Sequence, residues 1–241
     1  MSNQSVWYAP DKVLDSFYRT PRAGAEVLSD GGGPFGFDIQ AAIQVDFLMA
    51  HYRLETIFET GCCMGDTTEY LARRYVGIPI WTCDIDARYF SFAKARLSRF
   101  EQVTVVSGDS AALLPSALRS ASAPLIYLDA HWLDEWPLAE ELTGVTEGLV
   151  VIDDFDIGHP RFGFDTYGGV KCDLELLVHT LPRSVESVFF SNPYGEYPLP
   201  CLQVGRRAGR CFIPIGLDPE VMRGCNFFRE VSLSEHRGAM L

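Results

Sequence analysis

Five short, largely apolar runs recur between residues 56 and 152, at 56–59, 80–83, 103–106, 125–128 and 149–152, with helical stretches between them. Few folds accept that order. A near-continuous apolar run is buried on both faces, which is the habit of a parallel strand, whereas a half-exposed strand alternates apolar with polar positions. Parallel neighbours need a crossover long enough for a helix. Stretches of helical character at 67–75, 87–100, 110–119 and 138–143 supply it. The chain therefore reads as an α/β fold built on a doubly wound, mostly parallel sheet. Ahead of the first run, Ile39, Ala42, Ile43, Phe47 and Leu48 recur with helical period and predict an amphipathic helix over 38–52. Runs at 188–190, 202–205 and 210–213 follow one another without helical spacing and predict an antiparallel closing edge. Residues 1–37 read as an N-terminal extension that ends in a glycine-rich hinge, SDGGGPFGF, and 232–241 as a loose tail.

Composition narrows the partners. The chain has 241 residues, with 20 basic against 32 acidic, a net charge of −12. Phosphate backbones are held by clustered Lys and Arg, so a nucleic-acid surface is not expected. No apolar run reaches the length of a membrane span. The start, MSNQSVWYAPDKV, lacks the basic and apolar regions of a secretory signal, so the seven cysteines are expected as reduced thiols in a cytoplasm. None has zinc-ligand spacing, and the adjacent Cys62 and Cys63 make a poor disulfide.

Open α/β sheets bind ligands at the carboxyl ends of their strands. The first run ends in Glu59-Thr60-Gly61-Cys62-Cys63-Met64-Gly65-Asp66-Thr67. A dinucleotide fingerprint would require glycines at 61, 63 and 66, and two of these are Cys63 and Asp66. Gly61 suits a tight turn, Gly65 suits close approach of a ligand to backbone, and Thr67 is placed to cap a helix. The second run ends at Asp84, with Asp86 expected as the next helix cap, and the third in Ser107-Gly108-Asp109-Ser110, where Asp109 also suits a cap. The fourth ends in Leu128-Asp129-Ala130-His131-Trp132 and the fifth in Ile152-Asp153-Asp154-Phe155.

Glu-x-Gly-x-x-x-Gly-x-Thr resembles the cofactor loop of class I S-adenosylmethionine-dependent methyltransferases, over roughly residues 38–215. The usual pattern has a further glycine where this chain has Cys63. The resemblance implies a Rossmann-like, seven-stranded sheet with an antiparallel closing strand, in a cofactor-binding domain over 38–231. It implies S-adenosylmethionine held by Glu59, Gly61, Cys63, Gly65, Thr67, Asp84, Asp109 and Ser110, with Asp84 on the ribose hydroxyls and Asp109 or its neighbour on the adenine. The acids after the fourth and fifth runs resemble those of metal-dependent O-methyltransferases of the catechol and natural-product-sugar types. Carried over, Asp129, Asp153 and Asp154 hold Mg²⁺ or Mn²⁺. Three converging carboxylates do need a cation or protons among them, and hard oxygen donors favour such ions. His131, with Asp129, is the expected catalytic pair, and His159 a second candidate. Trp132 and Trp136 are expected in the acceptor pocket, residues 156–171 as a mobile loop, and Phe35 with Phe37 as a lid. Arg206 and Arg207 are expected to be solvated. The implied activity is methylation of a hydroxyl on a small molecule, a sugar or secondary metabolite, by a homodimer. The alternatives are a metal-independent or N-methylating enzyme of this fold, a non-methylating user of S-adenosylmethionine, and a cofactor-binding module without catalysis.

Overall fold

The computed structural model describes residues 8–23, 32–130 and 136–239. Its first part runs α1 (Pro10–Arg19), a 3-10 turn (Pro34–Phe37), α2 (Ile39–Tyr52), β1 (Thr56–Thr60), α3 (Asp66–Arg74), β2 (Ile80–Asp84), α4 (Ala87–Leu97), β3 (Val103–Ser107), α5 (Ser110–Leu118), β4 (Pro124–Leu128), α6 (Leu138–Thr143) and β5 (Gly148–Ile152). Three two-residue strands follow, β6 (Phe162–Gly163), β7 (Thr166–Tyr167) and β8 (Val170–Lys171). The chain then forms α7 (Leu174–Thr180), β9 (Ser187–Ser191), β10 (Arg207–Ala208), β11 (Cys211–Ile215), α8 (Glu220–Arg223), β12 (Phe228–Ser232) and α9 (Leu233–Ala239).

The main sheet has eight strands in the order β12-β9-β11-β5-β4-β1-β2-β3. The five from β3 to β5 are parallel, and every pair beyond β5 is antiparallel. The doubly wound sheet with an antiparallel edge is thus observed, with one strand more than seven. The chain steps outward from β1 to β2 and β3 on one side, and returns to β4 and β5 on the other. That reversal opens a crevice between the carboxyl ends of β1 and β4.

Alternate strand residues feed two apolar layers. Ile57, Leu125, Tyr127, Leu149 and Val151 face the layer under α1, α2 and α3. Phe58, Ile126, Leu128, Val150 and Ile152 face the layer holding residues of α6 and α7. Burying both faces of β5 contributes roughly 1.5–3 kcal/mol for each large side chain, which is why the run reads as uninterrupted apolar sequence. The helix starts are set by side chains. Asp38, Asp86, Asp109 and Asp173 each accept a backbone N–H of the first turn of α2, α4, α5 and α7. Among the described residues no helix is long and apolar enough to cross a membrane.

Several expectations change. The extension is part of the core: Val13 and Phe17, one helical turn apart on α1, are fully buried. Phe35 and Phe37 form no lid, since the Phe35 ring lies edge-on to Tyr70 and Tyr127 at 5.4 and 5.3 Å, and Phe37 packs on Phe17 at 5.4 Å. The run at 202–205 is not a strand, and the pairing falls later, where β10 lies parallel to β6. Residues 156–171 are tied down rather than open, by β6, by the β7–β8 pair and by Asp156 N–H donating to Cys172 O at 2.7 Å. The tail forms α9, anchored by fully buried Leu233.

Candidate active site

A cavity of about 940 Å³ lies over the carboxyl ends of β1 to β5. Its lining includes Glu59, Gly61, Cys63, Thr67, Asp84, Asp109, Ser110, Asp129, Trp136, Asp153 and Asp154. Most of the expected site residues therefore meet in one place. Gly65 is not in the lining. It adopts φ +75° at the start of α3, and a Cβ there would face Leu97 of α4, so the absent side chain lets α3 and α4 approach. Thr67 does not cap α3 but lies inside it, and its hydroxyl accepts the Phe35 N–H at 3.0 Å.

The loop after β1 is held by the neighbouring strand. Gly61 and Cys62 both donate to Cys83 O at 3.0 Å. Cys63 N–H donates to Asp84 Oδ2 at 2.8 Å, and Asp86 N–H to Asp84 Oδ1 at 2.9 Å. Cys63 has φ +47°, a left-handed conformation that glycine adopts without steric cost. Cysteine in place of the expected glycine therefore leaves the backbone path intact at a cost of roughly 1–2 kcal/mol. Asp84 is mostly buried, and its carboxyl is raised above the usual range by that burial, less so by Asp86. Asp109 both lines the cavity and caps α5 by accepting Ala111 N–H at 2.9 Å, so the two readings of this residue coexist.

Glu59 lies at the floor, 2% exposed. The hydroxyls of Thr68 and Thr82 donate to its Oε2, the latter at 2.7 Å. Burial pushes its carboxyl up to about 7, against the lowering effect of the two threonines. A carboxyl raised on folding contributes stability that is complete below its unfolded value and is lost as pH rises through the folded value. Between pH 5 and pH 8 this group therefore costs the fold on the order of 2–3 kcal/mol. Glu59→Gln removes that loss. In urea melts at the two pH values, the wild type should lose this much more stability than the variant, and parallel losses in both proteins would refute the assignment.

Asp129, Asp153 and Asp154 reach the cavity from the ends of β4 and β5. The Asp129 carboxyl is held well above the carboxylate range, by burial first and then by Asp153 and Asp154. Asp154 adopts φ +47° and donates its N–H to Asp153 Oδ1 at 3.0 Å. Asp153 Oδ1 also lies 3.0 Å from Arg210 Nε, and its Oδ2 accepts from Tyr127 Oη and from Arg210 Nη2, the latter at 3.1 Å. A carboxylate has about four acceptor positions, and three hydrogen bonds together with the guanidinium charge engage both oxygens of this one. The expected metal set fits poorly on that ground: one of its three members is already paired with a buried guanidinium. Among the described residues, no group of three or more His, Cys, Asp or Glu stands as a metal-binding cluster.

His131 and Trp132 lie outside the described residues. Trp136 lines the cavity, with its ring 5.5 Å from that of Tyr167. His159 is not among the lining residues, and its ring faces Phe162 and Tyr194 at 5.3 and 5.6 Å. Arginines are the residues that sequence reasoning missed. Arg206 and Arg207 line the cavity; Arg206 is exposed, as expected, but Arg207 is buried, with Nε 2.7 Å from Asp38 Oδ2. No local signal marks this pair, whose members are 169 residues apart.

No family model and no curated protein matches the sequence. Solved structures do share the fold. A Klebsiella pneumoniae protein described as an O-methyltransferase is 18% identical with a TM-score of 0.50, over 89% of this chain and 91% of that one. An S-adenosylmethionine-dependent methyltransferase from Aquifex aeolicus is 13% identical with a TM-score of 0.51, over 86% of this chain and 99% of that one. At these identities the likeness is one of fold. The chain has the Rossmann-like fold of class I methyltransferases.

Proposed function

We propose that the protein is an S-adenosylmethionine-dependent O-methyltransferase acting on a hydroxyl of a small molecule. The observation that carries this reading is Asp84. Its carboxylate stands at the end of β2, lines the cavity, and is aimed by the N–H groups of Cys63 and Asp86. A fixed carboxylate beside a glycine turn is what a vicinal diol such as ribose requires, because two hydroxyls then donate to it. Asp109 and Ser110 at the end of β3 stand ready for the adenine, and the Gly61 backbone for the methionine portion. The volume, about 940 Å³, is at the upper end for ligand pockets and admits a small acceptor beside the cofactor. The two fold neighbours, one described as an O-methyltransferase, support the same reading.

S-adenosylmethionine supplies an activated methyl group when bound. The protein's part is to align the acceptor oxygen with that group and to exclude water. Trp136 forms part of the wall. His131 remains the proposed group that takes the acceptor's proton, with Asp129 as the other proposed catalytic residue. No step of this mechanism is assigned to a divalent ion, because Asp153 is already paired with Arg210.

Titration calorimetry with S-adenosylhomocysteine tests the reading, followed by methyl transfer from labelled cofactor to hydroxylated small molecules. The wild type should bind. Asp84→Ala should weaken binding about 10- to 100-fold, since hydrogen bonds to a charged group contribute roughly 1.5–3 kcal/mol. Absence of binding by the wild type would overturn the proposal.

A further inference from the structure

We propose that the guanidinium of Arg210 is the resident cation of the acid cluster, so that the protein uses an internal ion pair where related sites use a divalent metal. This rests on the methyltransferase reading only for its consequence in catalysis. The charge argument stands on geometry. Carboxylates from β4 and β5 converge, and such convergence calls for a cation or for protons among them. Arg210, 1% exposed, supplies one.

The pairing of strands dictates its position. Cys211 is the partner of Ile152 in the antiparallel β11–β5 ladder, so the residue before Cys211 lies across from the residue after Ile152, which is Asp153. The backbone is pinned on both sides. Gly209 O accepts Phe155 N–H at 2.9 Å, and Arg210 O accepts Ser191 N–H at 3.0 Å. The side chain is equally committed. Nε and Nη2 reach Asp153, Nε also donates to Tyr127 Oη at 3.1 Å, and Nη2 to Phe35 O at 3.0 Å. Nη1 donates to Ala208 O at 3.3 Å and lies 3.7 Å from Asp38 Oδ2. Four of the five N–H groups of this arginine thus donate hydrogen bonds, and arginine does not lose its proton. A metal ion reaching Asp153 would have to compete with Arg210 and Tyr127 for it and sit against a fixed positive charge. Tyr127, two residues before Asp129, completes the arrangement by donating to the same carboxylate.

Mn²⁺ is the probe. Calorimetric and electron paramagnetic titration of the wild-type protein should give no stoichiometric binding, and methyl transfer should persist in excess EDTA. Arg210→Met vacates the cation's place. Millimolar Mn²⁺ should then raise the melting temperature of the variant by several degrees and leave that of the wild type unmoved, because a ligand stabilises only the fold that binds it. Where Arg210→Met does not fold, the wild-type titration decides. Stoichiometric Mn²⁺ binding by the wild type, lost in Asp153→Asn, would overturn the proposal. Failure of S-adenosylhomocysteine to bind would instead overturn the methyltransferase reading, and the Mn²⁺ titration would still judge Arg210.

Discussion

Gly61→Ala is expected to abolish binding of S-adenosylhomocysteine and to lower the melting temperature by roughly 5–15 °C. Two costs add. Gly61 has φ +72°, where an L side chain costs roughly 1–2 kcal/mol. A Cβ there would also stand 2.3 Å from Asp129 O and 2.7 Å from Asp129 C. These are backbone atoms at the end of a central strand, so they cannot swing aside as a side chain would. The ends of β1 and β4 must part, and overpacking of this kind costs about 1–3 kcal/mol. In a domain of this size each kcal/mol moves the melting temperature by about 2–4 °C. The crevice at the sheet's reversal is where the strands would separate, so the cavity is damaged directly. Gly77→Ala is the control. Gly77 has φ +84° but nothing within 4 Å of its would-be Cβ, so it bears the conformational cost alone. Equal melting shifts and unimpaired binding in the two variants would refute the role given to the contact.

Arg207→Met should destabilise the protein by about 3–5 kcal/mol, the range for removing one partner of a buried ion pair. Asp38 is 1% exposed and its two oxygens receive Arg207 Nε and Nη2 at 2.7 and 3.0 Å. Removal of Arg207 leaves that charge buried, with Arg210 Nη1 at 3.7 Å as partial relief. Arg207 also donates to Gln40 Oε1 at 2.7 Å, and so ties β10 to the start of α2. The double variant Asp38→Asn with Arg207→Met removes both charges and should recover part of the loss. Asn at 38 still accepts the Gln40 N–H that caps α2. Urea denaturation of the two single variants and the double yields the coupling. A double variant no more stable than Arg207→Met alone would refute the assignment.

These two sites differ in how far the sequence announces them. Gly61 was legible, because a glycine at the end of an apolar run in an α/β chain marks a turn facing ligand. Cys63 shows the limit of such reading, since a residue-by-residue pattern registers a missing glycine, while the backbone keeps the left-handed conformation regardless. β12 was illegible for another reason. It is an edge strand, FREVS, with Arg229 and Glu230 exposed, so no apolar run betrays it. α1 and α9 each carry only one or two buried apolar residues, too few for a helical period to stand out from noise.

The sequence by itself determined the parallel core, the helix caps at Asp86 and Asp109, and the acids at successive strand ends, because each follows from local burial or from hydrogen bonds within a few residues. Only the tertiary structure decided which buried acids meet an arginine. Arg210 meets Asp153 across 57 residues and Arg207 meets Asp38 across 169. Such pairs are set by which strands lie side by side, and strand order is a property of the packed sheet. The converging carboxylates called for a cation or protons, and the pairing of β11 with β5 placed a guanidinium there.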